Sequence, residues 1–138
     1  MKVIVYYSKD GNVKKAAEDY AKEEVCDLIE IQDLVKRKGI LGFIKSGYQA
    51  VRKLETPIAP IEKDLSQYDH VVLCMPVWAG TLATPMRTFL KQYGKQLKQV
   101  EYILMKGDAK NPYTQVMDEM DTLLGKRRVR GISLVKPH

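Results

Sequence analysis

A chain of 138 residues, 45% hydrophobic and 29% charged, is long enough for one domain (residues 1–138) with its own core and too apolar to be disordered. No apolar run nears the roughly 20 residues that a spanning helix needs, and Met1-Lys2 leads straight into a strand, which predicts a cytoplasmic protein with no membrane partner. The net charge of +6 permits an anionic ligand, but the clusters Lys36-Arg37-Lys38 and Lys126-Arg127-Arg128 lack an aromatic platform, read as solvated element ends, and predict no nucleic-acid partner.

The first stretch organises the chain. Residues 3–7 (VIVYY) form a buried strand, and 8–13 (SKDGNV) a polar loop. An amphipathic helix follows, whose stripe Val13, Ala16, Ala17, Tyr20 and Ala21 keeps helical period. A loop between the carboxyl end of a strand and the amino end of a helix offers unpaired N–H groups at the positive end of the helix dipole. It is therefore a natural anion site. Residues 25–31 (VCDLIEI) alternate as an edge strand does. In 32–54 the residues Leu41, Ile44, Tyr48 and Val51 keep helical spacing, with Gly39, Gly42 and Gly47 interrupting. The prolines make 56–61 (TPIAPI) extended.

Residues 69–75 (DHVVLCM) carry the unbroken apolar run of a strand covered on both faces. Thr84 reads as an N-cap with Pro85 at the first helical position, ahead of a stripe of Met86, Phe89, Leu90 and Tyr93. A fourth strand occupies 100–105 (VEYILM). Asn111-Pro112 then opens a helix with Tyr113, Val116, Met117, Met120 and Leu124 on one face and Gly125 as its stop. The fifth strand is 129–135 (VRGISLV), ahead of Pro137-His138. Cys26 and Cys74 fall in strands that a third separates, which predicts free, buried thiols. His70 and His138 stand far apart, without metal-ligand spacing, and His70 reads as structural.

Strands alternating with helices specify a doubly wound α/β domain with a parallel sheet. The first loop has a single glycine, so it is neither the G-x-G-x-x-G of a dinucleotide site nor a Walker loop. Rossmann-like and flavodoxin-like strand orders both fit this pattern.

Three stretches carry a resemblance. YYSKDGNVKKAAE is similar to the phosphate loop and first helix of flavodoxins. MPVWAGTLATPMRTFL resembles the segment after their third strand, where an aromatic ring covers the flavin. KGDAKNPY sits where their second flavin loop follows the fourth strand. The resemblance runs over nearly the whole chain in the right order. It implies a flavodoxin-like, five-stranded parallel sheet of order 2-1-3-4-5, FMN as cofactor, and electron transfer to an unidentified redox partner. It implies a cofactor site of Ser8, Lys9, Asp10, Gly11, Asn12 and Val13 around the phosphate. The ring would meet Pro76, Val77, Trp78, Ala79, Gly80 and Thr81 on one side, with Tyr113 at its other face and Lys106, Gly107 and Asp108 in the second loop at its polar edge. Read from the residues alone, Tyr113 is a core residue of its helix and Asp108 a solvated turn aspartate. Trp78 is expected in a loop, stacked on the flavin or packed on its own surroundings. No side chain stands as a dedicated catalytic acid, base or nucleophile.

Two departures bear on function. Flavodoxin phosphate loops usually carry hydroxyl residues where this chain has Asp10 and Val13. A carboxylate about 5 Å from a phosphate repels it by roughly 3 kcal/mol per pair of unit charges at an effective dielectric near 20. A helix N-terminus returns only about 0.3–2 kcal/mol. Asp10 must point to solvent or be offset by Lys9 or Lys14; otherwise it replaces the phosphate by accepting the helix N–H groups itself. The second departure is that no helix follows the fifth strand. The face beside the first helix would stay apolar and open, which predicts a homodimer or a partner protein over it. Two functions follow: an FMN-dependent electron carrier or small reductase, or a flavodoxin-like module that no longer binds flavin and serves as an interaction protein.

Overall fold

A computed structural model of the chain describes residues 1–137; His138 lies outside them. Its strands are β1 (Lys2–Tyr6), β2 (Asp27–Glu30), β3 (His70–Trp78), β4 (Thr81–Leu82), β5 (Gln99–Lys106) and β6 (Arg130–Val135). Its helices are α1 (Asn12–Glu23), α2 (Gly39–Val51), α3 (Thr84–Tyr93) and α4 (Thr114–Leu124). The sheet order is β2-β1-β3-β5-β6, all parallel, with the two-residue β4 antiparallel to the end of β3. This is the predicted five-strand order with one short strand added. The predicted second strand begins late, because Val25 is 99% exposed and Cys26 only partly buried. Of the extended 56–61 stretch, Ile58 alone pairs, in a bridge to Asp33.

Alternation along the central strands divides the core between two faces. Val3, Val5, Val71, Leu73, Met75, Val100, Tyr102 and Leu104 point to the face covered by α3 and α4, with Ala50 of α2 at its margin. Ile4, Tyr6, Val72, Cys74, Ile103 and Met105 point to the other, where Val13 and Ala17 of α1 cover them. Cys74 is a free thiol there, pushed up to about 12 by burial.

On β6, Gly131 and Ser133 face α4, the glycine against Met117 and the Ser133 hydroxyl donating to the Pro112 carbonyl. Ile132 (49%) and Leu134 (38%) are exposed on the α1 side. Among the described residues no helix follows β6.

Two local expectations, at Thr84 and at Arg37, need correcting, while the helical spacing within 32–54 does form one helix. Thr84 is the first helical residue and Ala83 the N-cap, because the Thr84 hydroxyl is committed to a buried hydrogen bond with Thr56 at 2.8 Å. The periodic residues of α2 lie outside: Leu41, Ile44, Tyr48 and Val51 are exposed, while Gly42, Ser46 and Ala50 are buried. Close approach decides that face. A Cβ on Gly42 would stand 2.7 Å from Arg37 Cα and closer still to its carbonyl, so only glycine lets the helix begin against that backbone. Finally, Arg37 is not solvated but 93% buried, given its 7% exposure.

Candidate functional site

The carboxyl ends of β1, β3 and β5 open into a cavity of about 420 Å³. That is the edge where an open α/β sheet holds ligands. The loop after β1 supplies Lys9, Asp10, Asn12 and Val13, and the end of β3 supplies Pro76, Val77, Trp78 and Ala79. Met105, Lys106 and Gly107 come from β5 and its loop. The sequence reading omitted the remaining wall: Phe43, Ser46 and Gly47 of α2, Met105, and Lys136 beyond β6. Helical spacing marked α2, but spacing alone does not say that its small residues face the domain.

The loop after β1 is held by its own side chains. Gly11 has φ +95°, a left-handed conformation natural to glycine, and serves as the α1 N-cap. Its N–H donates to Ser8 Oγ at 3.1 Å. Asp10 Oδ1 accepts the Asn12 N–H at a long 3.4 Å. Asp10 Oδ2 pairs with Lys136 Nζ at 3.3 Å, with both side chains about half exposed. The cation that offsets Asp10 is therefore Lys136, not Lys9 or Lys14. It comes from the far end of the sheet, which spacing along the sequence does not reveal. Val13 and Lys14 keep the N–H groups of the first helical turn, which have no acceptor within the helix. Of the lining cations Lys106 is buried, its ammonium donating to the Asn111 carbonyl at 2.5 Å. Lys9, Lys106 and Lys136 against Asp10 leave the cavity with two net positive charges.

Trp78 sits at the end of β3 rather than in a loop. It is 8% exposed; the Arg37 guanidinium lies over its ring at 4.7 Å, and Tyr7 meets it edge-on at 5.5 Å. Ala79 (φ +48°) and Gly80 (φ +78°) make the two-residue turn into β4, with both central residues in the left-handed region as tight hairpins require. An alanine there is strained by about 1–2 kcal/mol, and such strain concentrates at functional sites. Ala79 borders the cavity; Gly80 and Thr81 do not. The Thr81 hydroxyl points instead to Glu119 at 3.4 Å. Glu119 also binds Arg87 at 3.0 Å and Lys53 at 3.3 Å, tying α3 and α4 to the turn that follows α2. Burial would raise its carboxyl, but Arg87 and Lys53 hold it below the usual range.

Ser8, Gly11, Asp108 and Tyr113 also lie outside the cavity lining. Asp108 accepts the Lys110 N–H in a turn, and Tyr113 is the left-handed N-cap of α4.

Beneath the cavity Arg37 holds the 33–56 segment to the sheet. Its Nε binds Asp33 at 2.6 Å, Nη1 donates to Ser46 (3.1 Å) and Gln49 (2.8 Å), and Nη2 to Thr56 (3.3 Å) and Thr84 (3.2 Å). Tyr7 closes the set by donating to Asp33 at 3.0 Å. Burial and the adjacent Asp33 carboxylate push the Tyr7 phenol well above its ordinary value. Nothing in the KRK run distinguishes the buried arginine from its two exposed lysine neighbours.

Elsewhere His70 Nε2 donates to the Glu101 carboxylate at 2.6 Å, a structural role at the start of β3, and among the described residues no cluster of metal-ligating side chains exists.

No family model matches the chain. Solved structures do. A flavoprotein of Lactobacillus acidophilus, solved in complex with FMN, is 22% identical over 96% of this chain and 91% of its own, with a TM-score of 0.80. A candidate flavoprotein of Bacteroides eggerthii is 17% identical over 96% of this chain and 87% of its own, TM-score 0.80. An archaeal flavodoxin is 18% identical over 100% of this chain and 86% of its own, TM-score 0.58. The fold is the flavodoxin-like one.

Proposed function

We propose that this chain binds FMN in the cavity at the carboxyl edge of its sheet and works as an electron carrier or small FMN-dependent reductase. One observation carries the proposal: a single cavity brings together the ends of β1, β3 and β5, with three lysines beside apolar walls. The residues fit the group. A volume of about 420 Å³ lies within the roughly 300–1,000 Å³ of ligand pockets. Phe43, Val77 and Met105 offer apolar surface for a flat ring system, and the lysines with the first turn of α1 suit a phosphate dianion. The L. acidophilus structure, which holds FMN on the same fold, supports the choice of ligand.

FMN, when bound, supplies the redox chemistry itself. The chain's part is to hold, orient and polarise it. Lys106, buried at the cavity wall, places a fixed positive charge there. Trp78 is locked between Arg37 and Tyr7, so that side of the cavity keeps its shape without ligand. The proposal includes a cytoplasmic setting, in keeping with two free cysteines, and a separate redox partner protein. It also includes a second copy of the chain over Ile132 and Leu134. Light scattering at micromolar concentration should then show a dimer, and a strict monomer would remove that part.

A fluorescence titration tests the ligand. FMN should be quenched saturably and should bind more tightly than riboflavin, which lacks the phosphate. Quenching of neither, or equal binding of both, contradicts the proposal.

One observation favours the second function, an interaction module without flavin: the Asp10 carboxylate already accepts a helix-start N–H and pairs with Lys136. Replacing it separates the readings. With Asp10→Thr, FMN affinity should rise roughly tenfold, about 1.4 kcal/mol, if the carboxylate competes with the phosphate. Unchanged affinity would mean that Lys136 already neutralises it.

A further inference from the structure

Helix α2 is built inside out. It buries Gly42, Ser46 and Ala50 and turns Ile40 (78% exposed), Leu41 (81%), Phe43 (73%), Ile44 (59%), Tyr48 (59%) and Val51 (61%) to the outside. A ridge of six large apolar side chains on one helix is not ordinary surface. Its surroundings are as one-sided as its core. Residues 34–54 contain no acidic residue, and Lys36, Lys38, Lys45, Arg52 and Lys53 flank the ridge, all exposed. Only Lys53 has a carboxylate partner among the described residues, Glu119.

We propose that this face docks on an anionic phospholipid surface, with the α2 ridge in the interface and the flanking cations on the headgroups. A helix anchored by small residues, projecting apolar side chains outward and flanked by cations, is the form that lies in a bilayer interface. Lysines at the two ends can bury their stems and keep their ammonium groups among the phosphates. The chemistry of the rim selects this occupant over others. Two copies meeting through α2 would bring together eight cations that have no carboxylate partner, with no acid from residues 34–54 of either. A protein partner is less suited because contact surfaces between proteins are depleted in lysine, and four of the five flanking cations are lysines. The idea departs from the expectation of no membrane partner, which considered spanning and leader segments and not surface docking; no described helix is long and apolar enough to cross a membrane, and none needs to be. It stands whether or not the cavity holds FMN. Phe43 belongs both to the ridge and to the cavity wall, so a bilayer held by α2 would lie at the cavity mouth.

The test is co-sedimentation of the full chain with vesicles of phosphatidylcholine alone, or of phosphatidylcholine with roughly a third phosphatidylserine. Binding to the anionic vesicles should exceed that to neutral ones at least fivefold and fall as salt is raised. Ile44→Ser and the double variant Lys36→Gln/Lys38→Gln should each lose most of it while keeping the parent's circular dichroism. The lysine pair is exposed, so it keeps the test decisive even if the Ile44 variant folds poorly. Three results would each overturn the proposal: no binding to either vesicle, binding that neither variant weakens, or a dimer in solution that Ile44→Ser abolishes. Saturable binding of a soluble acidic polypeptide without vesicle binding would also overturn it, in favour of a protein partner.

Discussion

Helices α1 and α2 repeat their apolar residues at the same period and turn them in opposite directions. In α1 the stripe faces in, and Val13 and Ala17 close over Ile4, Val72 and Ile103. In α2 the stripe faces out, and glycine, serine and alanine lie against the domain. The difference lies in what each helix must pack on. Below α1 is a flat sheet face that rewards apolar burial. Below α2 is the Arg37 cluster, which needs a serine hydroxyl and the Gln49 amide as acceptors and leaves no room for bulk at Gly42. Periodicity identifies a helix; the chemistry of the surface beneath it decides which side goes down.

The largest effect should come from removing the group on which α2 rests. Arg37→Met leaves Asp33 charged and nearly buried, with the Ser46, Gln49, Thr56 and Thr84 acceptors unserved. Breaking a buried pair in this way costs about 3–5 kcal/mol, read as a lower urea midpoint. Gly42→Val should follow, at about 1–3 kcal/mol, as its side chain forces α2 off the Arg37 backbone. On α1 the same measurement should give about 1.6 kcal/mol for Val13→Ala, which removes two buried methyl groups. If Gly42→Val proved harmless while Val13→Ala did not, the contrast between the two helices would be wrong.

The pH dependence sharpens the α1 side. Glu101 is buried at its margin, bonded to His70 at 2.6 Å and to Arg130 at 2.7 Å. Burial alone would raise its carboxyl, but those bonds outweigh it and hold the group below the ordinary value of 4.5. A carboxyl lowered by folding stabilises the fold above its unfolded value, and that stability is lost as pH falls through the folded one. Urea unfolding should therefore weaken on acidification by more in the parent chain than in Glu101→Gln. Equal slopes would contradict the assignment.

Much of the architecture was legible. Alternating periods called for a doubly wound parallel sheet, and the resemblance to flavodoxins supplied its strand order. Of the rim expected at 8–13, 76–81, 106–108 and 113, residues 9, 10, 12, 13, 76–79, 106 and 107 line one cavity. What was not legible shares a cause. Arg37, Ser46, Thr56 and Thr84 meet across gaps of up to 47 residues, and polar residues carry no period by which a sequence betrays their burial. Lys136 reaches Asp10 only because the loop after β1 and the end of β6 approach over the sheet edge. Trp78 was assigned to the correct edge of the sheet but not to the end of its strand, since a proline at 76 argues against the continuation that β3 nonetheless makes.

The central claim is that the cavity between the loop after β1, the end of β3 and α2 is a flavin site. A structure solved from crystals soaked with excess FMN tests it most directly. The account predicts the ring against Val77 and Phe43, with the phosphate at the start of α1 beside Lys136. An unchanged cavity with the Asp10 carboxylate still seated on the Asn12 N–H would contradict it.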